Sequence, residues 1–328
     1  MKKQNRKNNF TVRRAAVLVL ALLLLCLPVF GCTKKGEKDS RMKIVCSVFP
    51  IWDWTGQVLG SDRDDVELTL LVRNGTDLHS FQPSVADIAA ISSCDLFLYV
   101  GGESDDWVRT VLEQNGKDVL AVPLLEVLGD RALAEETLPG EEEEEEEAAD
   151  EHIWLSFENA SFLTGVICEK LSALNPDKAG LYRENKDAYL DRIDALYARF
   201  RDAVARAKFD TLLFGDRFPF LYLVRELGLK YDAAFSGCSA ETEASFATIR
   251  RLASRADELG LPAVLRIDGS PLRIAEAVAE NTKAKNMKIL MMDSMQSVTD
   301  EQIRSGTSYL SVMEYNLGVL QKALGREE

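Results

Sequence analysis

Histidine is nearly absent from this chain: 328 residues hold two, His79 and His152. Any metal site built here must therefore draw its other donors from carboxylates or water, because imidazole runs out at two. Cysteine is also scarce, six in all and none in a Cys-x-x-Cys pair, which argues against a thiolate zinc cluster. Beyond Cys26 and Cys32, the residues Cys46, Cys94, Cys168 and Cys238 have mostly apolar or small neighbours. Export would permit disulfides, but such surroundings predict buried free thiols. No His-Glu-x-x-His, no Gly-x-Ser-x-Gly and no Ser/His/Asp arrangement can be read, and no Gly-x-x-x-x-Gly-Lys-Ser/Thr loop either. Basic charge is short as well. Six of the 39 Lys and Arg lie in residues 1–31, leaving 33 against 53 acids, a net charge of about −20. A surface of that sign repels nucleic acid, whose binding rests on neutralised phosphates. It keeps the body soluble and is compatible with steering cations.

The N-terminus supplies the first positive feature. A basic head without acids precedes an apolar run from Ala15 to Phe30, and Gly31-Cys32 closes it. That order describes a secretory signal over residues 1–31; the run is shorter than the ~20 residues of a spanning helix. The alternative is a short anchor that is never cut. Val-Phe-Gly-Cys resembles a bacterial lipobox, which implies lipidation of Cys32 and an exported body anchored to the outer face of the cytoplasmic membrane.

The chain from Cys32 onward exceeds the usual span of one core, so two lobes are expected. Strand-like and helix-like runs alternate in the first half ("MKIVCSVFP", "IWDWTGQVLG", "VELTLLV", "SVADIAAISSC", "LFLYVGG"). The rhythm returns in the second ("TLLFGD", "FLYLVRELGL", "SFATIRRLASRADELGL", "AVLRID", "LRIAEAVAENTKA", "KILMMDSM"). The fold class read from this is α/β: two lobes, each a mainly parallel sheet covered by helices. A helix starting at Asn175-Pro176, with Leu181, Tyr189, Ile193, Leu196, Tyr197 and Phe200 at helical spacing, joins them as one long backbone helix. The expected divisions are 32–175 for the N-terminal lobe, 176–207 for the linking helix and 208–328 for the C-terminal lobe. Ligands of such sheets bind outside the carboxyl ends of the strands, where "VFP", "LVRNGTDLH", "FGD" and "MMDSM" fall. Leu138 to Glu151, with seven consecutive glutamates, reads as a disordered acidic loop, either a weak collector of cations or a solvated insertion.

His79 lies in a turn at such a strand end; His152 comes just after the acidic loop in "DEHIWLSFENA". A lone histidine can be a satisfied polar residue or a helix cap as readily as a ligand. Together, however, "GTDLHSFQPSVADIAAISSCDLFLYVGG", "HIWLSFENA", "MKIVCSVFPIWDWTGQVLG", "KILMMDSM" and "SYLSVMEYNLGVLQKAL" resemble the motifs of the zinc- and manganese-type metal-binding solute-binding proteins of bacterial ABC importers. The resemblance covers nearly all of residues 42–325. It implies a divalent metal held between two lobes and passed to a membrane permease, with ATP hydrolysed by a separate subunit. It also implies no organic cofactor, no nucleic acid, and a monomer.

Carried over position by position, the resemblance puts metal ligands at His79, His152 and Asp293. At the third-ligand place, where the family has His or Glu, this chain has Arg217, which offers no lone pair. Asp216, one residue earlier, could take the role or simply pair with Arg217; Glu241 and Glu243 are reserve donors in the same lobe. Two imidazoles with carboxylates suit zinc or manganese. A carboxylate third ligand leans to manganese, whereas the acidic loop before His152 and the higher intrinsic affinity of zinc lean the other way, and zinc is the reading taken. Two other classes compete: a surface adhesion or interaction protein on the same scaffold without metal transport, favoured by Arg217, and a metal-dependent hydrolase, which would need an open metal position and a general base.

Overall fold

The short apolar runs become strands in the computed structural model, which describes residues 41–115, 119–138, 148–237 and 243–326. In the N-terminal lobe β1 (Met42–Cys46), β2 (Val66–Leu70), β3 (Leu96–Tyr99) and β4 (Leu120–Pro123) form a parallel sheet in the order β2-β1-β3-β4. The C-terminal lobe repeats the plan with β5 (Thr211–Arg217), β6 (Lys230–Phe235), β7 (Ala263–Ile267) and β8 (Lys288–Met292), ordered β6-β5-β7-β8. Helices α1 (Phe49–Leu59), α2 (Val85–Ser92), α3 (Asp106–Asn115), α4 (Leu124–Leu128) and α5 (Phe157–Leu174) belong to the first half. Then come α6 (Ala179–Ala205), α7 (Leu221–Leu227), α8 (Phe246–Leu259), α9 (Arg273–Asn281), α10 (Asp300–Arg304) and α11 (Tyr309–Ala323). The α/β class with two parallel sheets and one long helix is the architecture observed.

Strand parity sets where the core lies. Successive side chains point to opposite faces of a sheet. Ile44, Cys46, Leu96 and Leu98 of the first sheet, and Leu212, Phe214, Leu265 and Ile267 of the second, enter one central cluster. Their neighbours Val45 and Phe97 face a separate outer core, and Leu213 and Val264 another. Chain length predicts two lobes with their own cores. Here each lobe keeps an outer core, but the largest apolar cluster runs through both and carries Trp54, Trp154 and Tyr309, all fully buried.

The backbone helix differs in detail from the expected 176–207. Pro176–Lys178 is a single 3-10 turn and the α-helix proper is α6. Tyr189, Ile193, Leu196 and Phe200 are buried as their spacing predicts, while Tyr182 rather than Leu181 faces inward at the start. The Tyr182 hydroxyl donates to Asp62 at 2.5 Å. Helix α11, placed with the C-terminal lobe by position in the chain, packs on α6 and α1 as well as on β8. Asp53 of α1 accepts the Tyr309 amide at 3.0 Å at the start of α11.

Glu226 of α7 binds the N-terminus of α5. Its carboxylate accepts the Ser156 hydroxyl and the amides of Phe157 (3.0 Å) and Glu158 (3.1 Å), where free helix N–H groups and the dipole favour an anion. Burial pushes this carboxyl up, and these hydrogen bonds oppose the rise. Glu226→Ala strands two amides at an inter-lobe contact. We expect a loss of about 1–3 kcal/mol, seen as a lower melting temperature.

Residues 1–31, Cys32, the bulk of the acidic loop (139–147), Cys238 and Glu241 lie outside the described residues. Cys46, Cys94 and Cys168 are buried free thiols, and burial pushes Cys46 and Cys94 up to about 12. The loop's described ends form a short antiparallel stem: Ala134 pairs with Ala149, and the Asp150 amide donates to Leu133 O at 2.9 Å. This corrects the loop's expected end. Asp150 and Glu151 are ordered, at 1% and 3% exposure.

Candidate metal site

Beyond β2 the chain turns at Asn74, whose φ is 60°, and enters a 3-10 turn, Leu78–Ser80, capped by Asp77. Asp77 Oδ1 accepts the His79 amide at 2.9 Å, and Leu78 is buried beneath. This aims the His79 ring inward, leaving its side chain 14% exposed. His152 precedes a 3-10 turn, Ile153–Leu155, whose side chains are all fully buried. Asp150 Oδ1 accepts both the His152 amide (2.7 Å) and its Nδ1 (2.9 Å). From the second lobe, Gly237 lies against the ring: a Cβ there would stand 2.9 Å from the Phe218 carbonyl oxygen and 3.2 Å from His152 Cε1, so a larger residue would have to shift the Phe218 backbone.

The two imidazoles meet. His79 Nε2 and His152 Nε2 are 3.2 Å apart. The chain thus brings together the two histidines that its sequence singles out.

Their partners fix the tautomers. His152 gives its Nδ1 proton to Asp150, so its Nε2 is a bare lone pair. His79 Nδ1 lies 2.8 Å from Ser104 Oγ. The Ser104 amide donates to Glu151 Oε1 at 2.8 Å. The Glu151 carboxylate on this side of the ring favours a proton on His79 Nδ1, which leaves the lone pair on the second Nε2. Glu151 Oε2, buried without a hydrogen-bond partner, sits 3.5 Å from the same Nδ1. Gly102 permits this close approach. Its φ is +84°, and a Cβ there would fall 2.5 Å from Glu151 Oε1. Burial first, and the neighbouring His152 second, push His79 down to about 3, so it is neutral at physiological pH. Two nitrogens that both present lone pairs face to face repel each other unless a proton or cation lies between them. Each imidazole is backed through Nδ1 by a carboxylate, the arrangement that orients metal-ligating histidines. Two nitrogens at 2.0–2.1 Å from a tetrahedral zinc would be about 3.3 Å apart, close to the separation observed.

The described candidates among the remaining predicted donors, Asp216, Asp293 and Glu243, do not gather with the two imidazoles into a metal cluster. Asp216, 5% exposed, spends Oδ1 on the Arg217 amide (2.9 Å) and Oδ2 on the Ile267 amide (3.0 Å), which ties β5 to β7. Its two oxygens are committed to backbone, so it serves as a strand clamp. Arg217 instead crosses to the other lobe, with its guanidinium 2.7 Å from Asp77 Oδ2. Burial pushes Asp77 up, but the Arg217 charge and hydrogen bond outweigh it and hold the carboxyl below its ordinary value. Asp293 accepts the Met295 amide at 2.8 Å, and burial, followed by the nearby Asp268, pushes it up to about 7. Glu243 is exposed and pairs with Arg273 at 3.3 Å. Among the described residues no three His, Cys, Asp or Glu side chains converge as a metal cluster.

Four participants carry no assignment from sequence: Asp150, Glu151, Ser104 and Gln296. The last, 5% exposed, brings its amide to 2.8 Å from His152 Nε2. The two acids carry a signal in "DEHIW" but merge there with the glutamate run. Beside them Asp105, buried and accepting the Gly101 amide, is pushed up to about 7 by burial, with Glu151 adding to the rise. A carboxyl whose folded pKa exceeds its unfolded 3.8 stabilises the fold below about pH 4 and loses that contribution as pH rises through about 7. Asp105→Asn should therefore flatten part of the loss of stability between pH 4 and 8, on the order of 2–4 kcal/mol at most, measured by denaturant titration across that range.

Comparison with known proteins identifies the family. Residues 44–323 match the family model of the zinc-uptake complex component A, periplasmic (ZnuA). The chain belongs to that family. Among its relatives is the zinc-binding lipoprotein AdcA of Streptococcus pneumoniae, 29% identical over 326 residues, which cover 96% of this chain and 62% of AdcA. The chain thus spans about three fifths of that relative's length. The crystal structure of the Zn(II)-bound ZnuA-like domain of the same AdcA superposes with a TM-score of 0.70 at 28% identity, covering 88% of this chain and all of that one. The periplasmic zinc-binding protein TroA of Treponema pallidum shares the fold, with a TM-score of 0.72 at 22% identity over 87% of this chain and all of TroA.

Proposed function

We propose that this family member is an extracytoplasmic zinc-binding lipoprotein that captures Zn(II) between its lobes and hands it to a membrane permease driven by a separate ATPase. The observation that carries the reading is the pair of facing Nε2 atoms, 3.2 Å apart, with a buried carboxylate 2.9 Å from Nδ1 of His152 and another 3.5 Å from Nδ1 of His79. Zinc is favoured over manganese because two neutral nitrogens dominate the visible donors and intrinsic affinity rises toward zinc. The family description and the Zn(II)-bound AdcA domain support the same choice. In this reading His79 and His152 bind the metal, Cys32 carries the lipid anchor, and the protein acts without catalysis. Asp150 and Glu151 stand behind the imidazoles on their Nδ1 sides, away from the facing Nε2 atoms. Asp293 would need a shift of the loop after β8 to join the pair, and Asp216 would have to abandon two backbone amides.

Arg217 at the third-ligand place favours one rival, an interaction protein on this scaffold that no longer holds metal. Elemental analysis and a calorimetric zinc titration of the purified chain separate the two. We expect about one zinc per chain and no hydrolytic turnover; a chain that takes up no metal under saturating zinc or manganese overturns the proposal.

A further inference from the structure

With Arg217 turned away to Asp77, the pair of histidines lacks a third donor, and the loop after β8 supplies a candidate outside the carboxylates. Gln296 is buried, with its amide 2.8 Å from His152 Nε2 on one side and 3.1 Å from Ser294 Oγ on the other. Nε2 is the end that faces His152, and Oε1 faces the serine. The serine decides which end belongs where. Its hydroxyl lies 2.6 Å from Asp268 Oδ1 and has a single proton. A carboxylate is the stronger acceptor, and Asp268 is held by the Ser294 amide at 2.5 Å and the Ser297 hydroxyl at 2.5 Å. With its proton on Asp268, Ser294 Oγ can only accept from Gln296, so the amide NH2 group belongs on the serine side. The carbonyl oxygen then points at His152 Nε2, which is itself a bare lone pair because Nδ1–H is on Asp150.

An oxygen and two imidazole nitrogens, all acceptors, then converge within about 3 Å of His152 Nε2. Acceptors gathered in a buried site without a donor call for a cation. In the unturned orientation, by contrast, the amide N–H caps the His152 lone pair and leaves Oε1 against the oxygen of Ser294. The Ser294–Asp268 bond thus favours the orientation that offers C=O to a cation at His152 Nε2. The loop is held for this purpose from both lobes. The Trp154 indole donates to Ser294 O at 2.8 Å, and Asn316 brackets Asp293 with bonds of 2.7 and 2.8 Å.

We propose that Gln296 is a metal ligand of this chain through its side-chain carbonyl oxygen, standing in for the third ligand that Arg217 cannot provide. The inference rests on the zinc-binding reading above. A neutral amide oxygen is a weaker donor than a carboxylate and a harder one than imidazole, so it fits a site that releases its cargo.

The test is competition for Zn(II) against a chromophoric chelator, using the full chain and its Gln296→Leu and Gln296→Glu variants. Leucine fills the space without a donor and should weaken zinc binding about 10- to 100-fold. Glutamate places an anionic oxygen at the same point and should bind zinc at least as tightly as the parent. X-ray absorption at the zinc edge should show one oxygen neighbour fewer in the leucine variant. A leucine variant that binds as tightly as the parent, or more tightly, overturns the inference while leaving the metal reading intact; so does a glutamate variant no better than leucine. A parent chain without zinc affinity overturns both. Melting of the metal-free variants separates misfolding from ligand loss, and a leucine variant that melts early leaves the glutamate variant and the oxygen count to decide.

Discussion

His79→Ala and His152→Ala should each lower zinc affinity by at least about a hundredfold, the largest effects expected in this chain. Removing even a residue that merely orients a metal-bound histidine costs 10- to 100-fold in comparable sites, and here one of only two nitrogens is lost. The remaining imidazole, with Gln296 and water, cannot hold zinc at the same free energy, since each tenfold is about 1.4 kcal/mol. The two variants differ in what else they disturb. His79 retains some exposure and touches Ser104 and Glu151, so its loss leaves the core untouched. His152 is fully buried between Asp150, Trp154 and Gly237, and its replacement opens space and leaves the buried Asp150 carboxylate with the backbone amide but without the imidazole, costing stability as well. Calorimetry reads the affinity directly. Thermal unfolding gives a second readout: zinc at a hundred times Kd should stabilise the parent by about 2.7 kcal/mol and leave both variants nearly unmoved. If the double variant holds zinc as the parent does, the site lies elsewhere.

The elements are far more legible in the sequence than the chemistry. Strands buried on both faces announce themselves as continuous apolar runs, which is why "MKIVC" and "AVLRI" form strands where their composition places them. The pairing of His79 with His152 is legible only through resemblance, because nothing local in either segment specifies a contact across lobe and loop. Two kinds of information stay hidden. One is local competition for carboxylate oxygens: Asp216 is spent on the Arg217 and Ile267 amides, a fact that depends on β5 and β7 lying side by side. The other is composition masking position. Asp150 and Glu151 close an acidic run and look like its tail, yet a stem formed by Ala134 and Ala149 turns them inward. Gln296 has no signal at all, since a neutral amide in "MDSMQS" is unremarkable until Ser294 and His152 bracket it. Arg217 is legible as a departure, and its partner Asp77, two residues before the first histidine, is not. That ion pair converts a lost ligand into an inter-lobe tie on the loop that carries His79.

Asp150→Ala should reduce zinc affinity about 10- to 100-fold although Asp150 need never touch the metal. One oxygen, Oδ1, receives two protons from His152: the backbone amide at 2.7 Å and Nδ1 at 2.9 Å. The first sets the residue's position and the second its tautomer. Without the carboxylate, nothing buried nearby compels the proton to stay on Nδ1. The Nε2–H tautomer then becomes favourable because it can donate across 3.2 Å to His79 Nε2. In that form the pair satisfies itself, and zinc must first expel the proton, which weakens binding and makes it depend more steeply on pH. Asp150→Asn separates charge from geometry. Its amide oxygen can still accept both protons, so tautomer and position survive while the negative charge is lost, and the affinity should fall by less than in the alanine variant. The metal-free alanine variant should also unfold about 1–3 kcal/mol more easily, because the His152 amide is left buried without a partner. An alanine variant with parental zinc affinity would mean that the tautomer is set by something other than Asp150, and that the carboxylate behind His152 belongs to the fold and not to the site.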